Sequence, residues 1–176
     1  EDPFNVEKIW HKMYNLSYYY GRRSVGIHAM SGIDMAIWDI IGQALEVPIY
    51  KLLGGSFRDK VPAYCSVLMP DDEDEIKRLV DVHMPRGFKG MKFGWGALGQ
   101  SRENDIRLVR AAREALGPYP YLMIDIGMAW RDVKTAIQMC DALSEFQLHW
   151  IEEPIIPDDL LGYKRLCASV NTKISA

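Results

Sequence analysis

Cysteine is scarce in this chain. Three occur in 176 residues, Cys65, Cys140 and Cys167, and they lie far apart. An odd, widely spaced set fits neither a disulfide framework nor a zinc motif. We read all three as buried free thiols of a protein in a reducing compartment, the cytoplasm. Long apolar runs are missing as well: none approaches the ~20 residues of a membrane-spanning helix. The opening Glu-Asp-Pro-Phe-Asn-Val-Glu has neither the basic nor the apolar region of a signal peptide. Charge of one sign is also lacking. The net charge of −3 comes from interspersed acids and bases, which favours neither nucleic acid nor an anionic membrane as partner. No Gly-x-Gly-x-x-Gly follows the first predicted strand, and this disfavours a nucleotide-binding sheet.

Apolar side chains are plentiful. At 48% of the chain they suffice for a sizeable core. Residues 1–55 read as helical, with Val6, Ile9, Trp10 and Met13 at helical spacing. A stronger helix is predicted from Ser31, a suitable N-cap, with Ile33, Ile37, Ile40, Ile41, Ala44 and Leu45 as a broad apolar face. Pro48 and Gly54-Gly55 end it, and the boundary is expected in the turn over 54–59. From Val61 the texture becomes strand, helix, strand, helix. Strands are predicted over 61–68, 90–93, 121–124, 148–151 and 173–176, with helices over 74–84, 103–116, 132–143 and 158–169. A repeat of this length is that of βα units, which require parallel strands and right-handed crossovers. The fold class is α/β, and both a doubly wound sheet and a (β/α)8 barrel begin this way. The chain opens in helix-like sequence without a methionine and closes on a strand, so both ends are read as cuts.

In parallel α/β folds, chemistry sits at the C-terminal ends of the strands. Those ends carry Ser66, Lys92, Asp125 and Glu152, with Trp95 just beyond the second strand. Two carboxylates on one rim, completed by water or substrate oxygens, make a pattern suited to Mg²⁺. Cysteine and histidine, which would suit zinc, are absent from that rim. Ser66 and Trp95 are placed to touch a substrate. The four histidines, His11, His28, His83 and His149, occupy helical or pre-strand positions and are read as structural. The acidic run 71–75 reads as a helix N-terminus.

Several segments together resemble the mandelate racemase/muconate lactonizing enzyme branch of the enolase superfamily. They are Ser-Gly-Ile-Asp-Met-Ala-Ile-Trp-Asp (Ser31–Asp39) with Leu-Leu-Gly-Gly (Leu52–Gly55), Gly-Phe-Lys-Gly-Met-Lys (Gly87–Lys92), Met-Ile-Asp (Met123–Asp125), Trp-Ile-Glu-Glu-Pro (Trp150–Pro154) and Ile-Ser-Ala (Ile174–Ala176). The resemblance implies a (β/α)8 barrel of which this chain holds about half. Residues 1–55 would be the C-terminal part of an α-helical capping domain, and 56–176 the first four βα units and the fifth strand.

It also implies a reaction. A base removes the proton α to a carboxylate, and Mg²⁺ stabilises the enediolate. Asp125 and Glu152 would be metal ligands, Glu153 a residue behind them, and Lys92 a catalytic group orienting the substrate carboxylate. The third ligand would fall just beyond Ala176. Many members carry Lys-x-Lys where this chain has Lys92-Phe93-Gly94. Gly94 removes the base from that face and argues against a two-base racemase or a lysine-based cycloisomerase. What remains is a histidine base on later strands, the arrangement of acid-sugar dehydratases. Gly127 stands where the family often has Asn, and we conjecture that it makes room for a polyol. A racemase or epimerase with another base stays open, as does a non-catalytic half-barrel. Exposed strand edges would make such a half-barrel stable only in a larger chain or an oligomer, and a homo-oligomer is expected.

Overall fold

In a computed structural model the chain divides into two compact units, Glu1–Val61 and Pro62–Ala176, and residues 1–21 and 23–176 are described. The first unit holds helices α1 (Val6–Leu16), α2 (Val25–Leu45) and the short α3 (Ile49–Leu52). α2 starts six residues before the predicted Ser31, which lies inside it. The reason is spacing: Met30 belongs to the same buried stripe as Ile37 and Ile41, so the apolar period begins a turn earlier. The broad face expected of α2 is correspondingly narrower, because Ile33, Ile40 and Leu45 stay exposed. Among the described residues no helix is long and apolar enough to cross a membrane.

The second unit is a five-stranded sheet: β1 (Cys65–Leu68), β2 (Gly90–Gly94), β3 (Tyr121–Asp125), β4 (Trp150–Glu152) and β5 (Lys173–Ser175). Helices α4 (Glu73–His83), α5 (Arg102–Leu116), α6 (Val133–Ala142) and α7 (Leu160–Ser169) alternate with the strands. Every neighbouring pair is parallel, and the strand order is the chain order. A doubly wound sheet reverses direction at a switch point. This one does not, which selects the barrel type from the two alternatives. β1 is shorter than the predicted 61–68, beginning at Cys65, and Pro62 in the lost stretch has no N–H to give a ladder.

Local chemistry starts each helix of this unit. Asp72, Ser101, Asp132 and Asp159 cap α4 to α7 by accepting from backbone N–H groups one turn on. The strands then sort their side chains by alternation. Met91, Phe93, Leu122, Ile124 and Ile151 join Ile76, Val80, Leu108, Ala112, Ala136 and Leu166 in one core between sheet and helices. The opposite sheet face carries, in register, Lys92, Met123 and Trp150 in one row and Gly94, Asp125 and Glu152 in the next.

One buried carboxylate ties two of the loops together. Asp105 of α5 accepts from the Gly99 backbone N–H at 2.7 Å and from the Trp130 indole N–H at 2.9 Å. These donors belong to the loops after β2 and after β3. Burial pushes the Asp105 carboxyl up, against the pull of both donors. The thiols divide otherwise than expected. Cys65 and Cys140 are buried, but Cys167 is exposed, because its position on α7 faces outward from the core that holds Leu166.

Two outcomes test this account. Asp105→Ala should orphan the buried Trp130 indole N–H and free the half-buried Gly99 N–H, destabilising the protein by about 1–3 kcal/mol; chemical denaturation measures the loss. Burial pushes the Cys140 thiol up to about 12, leaving about one thiolate in ten thousand at pH 8. Alkylation of native protein at that pH, mapped by mass spectrometry, should therefore mark Cys167 and spare Cys65 and Cys140 until the protein is denatured.

Candidate active site

Asp125 and Glu152 are the last residues of β3 and β4, and they stand directly opposite each other in the ladder. Both side chains lie on the face turned from the helices. Two neighbouring carboxylates on parallel strands repel, so a cation between them is the expected remedy. Lys92 supplies it from β2. Its Nζ donates to Glu152 Oε1 at 2.9 Å and to Asp125 Oδ2 at 3.2 Å. The side chains of Lys92 and Asp125 are nearly buried, at 12% and 11% exposure, and Glu152 is somewhat more open.

The other oxygen of each acid is held by an indole. Trp95 Nε1 donates to Asp125 Oδ1 at 3.0 Å, and the Gly127 backbone N–H reaches the same oxygen at 3.2 Å. Trp150 Nε1 donates to Glu152 Oε2 at 3.0 Å. Tyr64 packs edge-on against the Trp150 ring. The outer oxygens are thus fixed to the protein, and the inner pair, Oδ2 and Oε1, converges on one positive charge.

The electrostatics follow from these contacts. Burial pushes Glu152 up, but hydrogen bonds from Lys92 and Trp150 outweigh it and hold the carboxyl below the usual range. Burial likewise pushes Lys92 down, and its bonds to Glu152 and Asp125 outweigh that, leaving it above the usual lysine range. Lys92 is therefore a lasting cation at neutral pH. The ammonium and the two carboxylates thus form one cluster of alternating charge on the sheet face. Gly94 adds a steric fact. A Cβ there would stand 3.0 Å from the Asp125 Cβ and 3.5 Å from Oδ2, so any side chain at 94 would need Asp125 to give by a few tenths of an ångström.

The residues just past the strands are strained. Trp95, Met128, Arg131 and Glu153, none of them glycine, all have left-handed backbones with φ of 43–67°. Hydrogen bonds over-determine these turns. Trp95 N–H donates to the Asp125 carbonyl, Glu153 N–H to the Ser175 carbonyl, and Met128 N–H to the Glu153 carbonyl. Glu153 thus ties its own loop to the end of β5 and to the loop after β3 through its main chain.

Of the predicted site residues, the fold gathers Lys92, Asp125, Glu152 and Trp95. Ser66 lies beside Lys92 in register but is exposed and does not touch the carboxylates. One participant was missed and another was given a different role. Trp150 could have been found, since it sits two residues before Glu152 and so on the same strand face. Gly127 was noticed for the wrong reason: a Cβ there would meet the Trp95 indole at 3.2–3.4 Å, so the space is filled by that ring rather than left open for a polyol.

Among the described residues no three His, Cys, Asp or Glu side chains form a metal-binding group. The two hard inner oxygens, already shared by one cation, nevertheless fit two ligands of a hard divalent ion. Comparison with known proteins then decides the family. Residues 1–54 match the model of the mandelate racemase/muconate lactonizing enzyme N-terminal domain, and residues 74–176 match that of the enolase C-terminal domain-like family.

The chain belongs to the mandelate racemase/muconate lactonizing enzyme family. It is 37% identical over 166 residues to the L-rhamnonate dehydratase of Saccharopolyspora erythraea, covering 92% of this chain and 40% of that protein. The crystal structure of the 3,6-anhydro-D-galactonate cycloisomerase of Zobellia galactanivorans superposes with a TM-score of 0.91 at 34% identity, covering 99% of this chain and 48% of the other. A racemase of Streptomyces coelicolor A3(2), solved with bound magnesium, gives 0.89 at 36% identity, covering 99% and 51%. The chain therefore spans about half the length, or less, of these family members, and its sheet is the matching part of an enolase-superfamily barrel.

Lys92→Met should leave Asp125 and Glu152 facing each other without a cation. A loss of about 3 kcal/mol is expected, the low end for breaking a buried pair because the side chains keep some solvent. Urea denaturation in metal-free buffer measures it.

Proposed function

We propose that the whole protein removes the proton α to the carboxylate of a sugar acid and eliminates the β-hydroxyl as water. The observation that carries this reading is the convergence of Lys92, Asp125 and Glu152 at the strand ends. Residues 1–55 are assigned to the capping domain, and 56–176 to the first four βα units and the fifth strand.

Asp125 and Glu152 are assigned as residues that would hold magnesium. A magnesium ion there would supply positive charge to the enediolate as it forms. The Lys92 ammonium, on the same sheet face, would neutralise and orient the substrate carboxylate. Glu153 positions the turn behind Glu152. Ser66 and Trp95 line the approach. The base is assigned to a histidine outside these residues, since Gly94 has no side chain to supply one on that face. When the α C–H bond breaks, its electron pair moves toward the carboxylate. The β C–O bond then breaks, the hydroxide leaves as water with one added proton, and the enol becomes a keto acid.

Dehydratases among the relatives, of L-rhamnonate, arabinonate and L-talarate/galactarate, support the substrate class. The cycloisomerase and racemase likenesses favour a second reading, in which the same proton is removed and returned without loss of water. Incubating the whole protein with sugar acids in deuterated water and magnesium separates them. Keto-acid formation is expected; α-deuterium exchange without keto acid would select the second reading. Asp125→Asn should cost more than the ~10–100-fold that losing an outer partner of a metal ligand costs. Turnover unchanged by that substitution would refute the assignment.

A further inference from the structure

Asp125 has two oxygens, and only one can face a cation shared with Glu152. What decides which is found in a loop, at Trp95. This residue is tryptophan in a left-handed backbone (φ 54°), a conformation unfavourable for a bulky side chain. The ring gains little from burial, for the residue remains 56% exposed. Its one directed interaction is the indole N–H on Asp125 Oδ1. The same turn returns the Trp95 backbone N–H to the Asp125 carbonyl at 2.8 Å, so a single residue grips Asp125 by main chain and side chain.

The opposite wall is Gly127. Its own N–H reaches Oδ1, and the ring atoms Nε1, Cδ1 and Cε2 of Trp95 lie where a Cβ would crowd them. Its φ of 55° favours glycine and is also open to asparagine, and the ring adds a steric reason for glycine by crowding any Cβ there.

We infer that Trp95 is a positioning residue for Asp125, and that Gly127 is the glycine its indole requires. The pair pins Oδ1 and so turns Oδ2 toward Lys92 and Glu152. An outer hydrogen-bond partner of this kind orients a metal ligand and tunes its affinity. The inference rests on the magnesium reading above, and its test separates the two.

Mg²⁺ binding to the whole protein is measured by calorimetry, with the thermal midpoint recorded for each variant. Asp125→Asn reports on the reading: if it binds Mg²⁺ as the unmodified protein does, the reading fails. Trp95→Phe keeps a ring and loses the N–H. It should weaken Mg²⁺ by about 10–100-fold with the midpoint little changed. Gly127→Asn should do the same by displacing the indole. In Trp95→Ala the asparagine should cost nothing further, so the double variant should match Trp95→Ala alone. If Asp125→Asn loses Mg²⁺ while Trp95→Phe and Gly127→Asn retain full affinity, the positioning role is wrong and the reading stands. Independent, additive losses in the double variant would likewise overturn the coupling. Should Trp95→Phe fail to fold, Gly127→Asn alone decides between displacement and no effect.

Discussion

Two carboxylates stand side by side at the ends of β3 and β4, and the rest of the site is arranged around their repulsion. Parallel pairing forces the proximity, because Asp125 and Glu152 share a rung of the ladder. The Lys92 ammonium makes it tolerable by reaching both inner oxygens. Two indole N–H groups take the outer oxygens, so each acid has both ends occupied. Among the described residues no buried side-chain polar atom lacks a partner, and a low-dielectric site tolerates charge only on that condition.

Such an arrangement places demands on the scaffold. Strand register must hold to the residue, since a slip by one would turn the acids into the helix-facing core. The core row of Met91, Phe93, Leu122, Ile124 and Ile151 resists that slip, because the alternative would bury Lys92 and the acids among α4 to α7. Beyond the strands, left-handed residues cluster at the same rim, and Asp105 anchors two of the loops that carry them. Strain and charge are thus concentrated where chemistry is proposed, and the apolar side bears their cost.

Much of this was legible in advance. The βα rhythm placed Asp125 and Glu152 on one rim without any contact being known, because strand ends and carboxylates coincide in the sequence. The acidic run 71–75 marked the start of α4 for a similar reason, as a helix N-terminus is a matter of a few residues. Errors arose where a distant partner decides. Ser31 looked like a cap, but the buried stripe shared by Met30 and Ile37 carries α2 past it. Gly127 looked like room for substrate, whereas the ring of Trp95, thirty-two positions earlier, fills that room. Cys167 was expected inside and lies outside, its neighbour Leu166 taking the core position.

By itself the sequence determined the α/β class, the apolar period of each element, and the identity of the acids and the lysine at the strand ends. Those properties follow from local propensity and alternation, which need no knowledge of neighbours. Tertiary structure decided the barrel-type order over a doubly wound sheet, the bridging of two acids by one ammonium, and the gripping of each acid by an indole. Each of these joins residues far apart in the chain, and only the register of β2, β3 and β4 brings them within hydrogen-bonding distance.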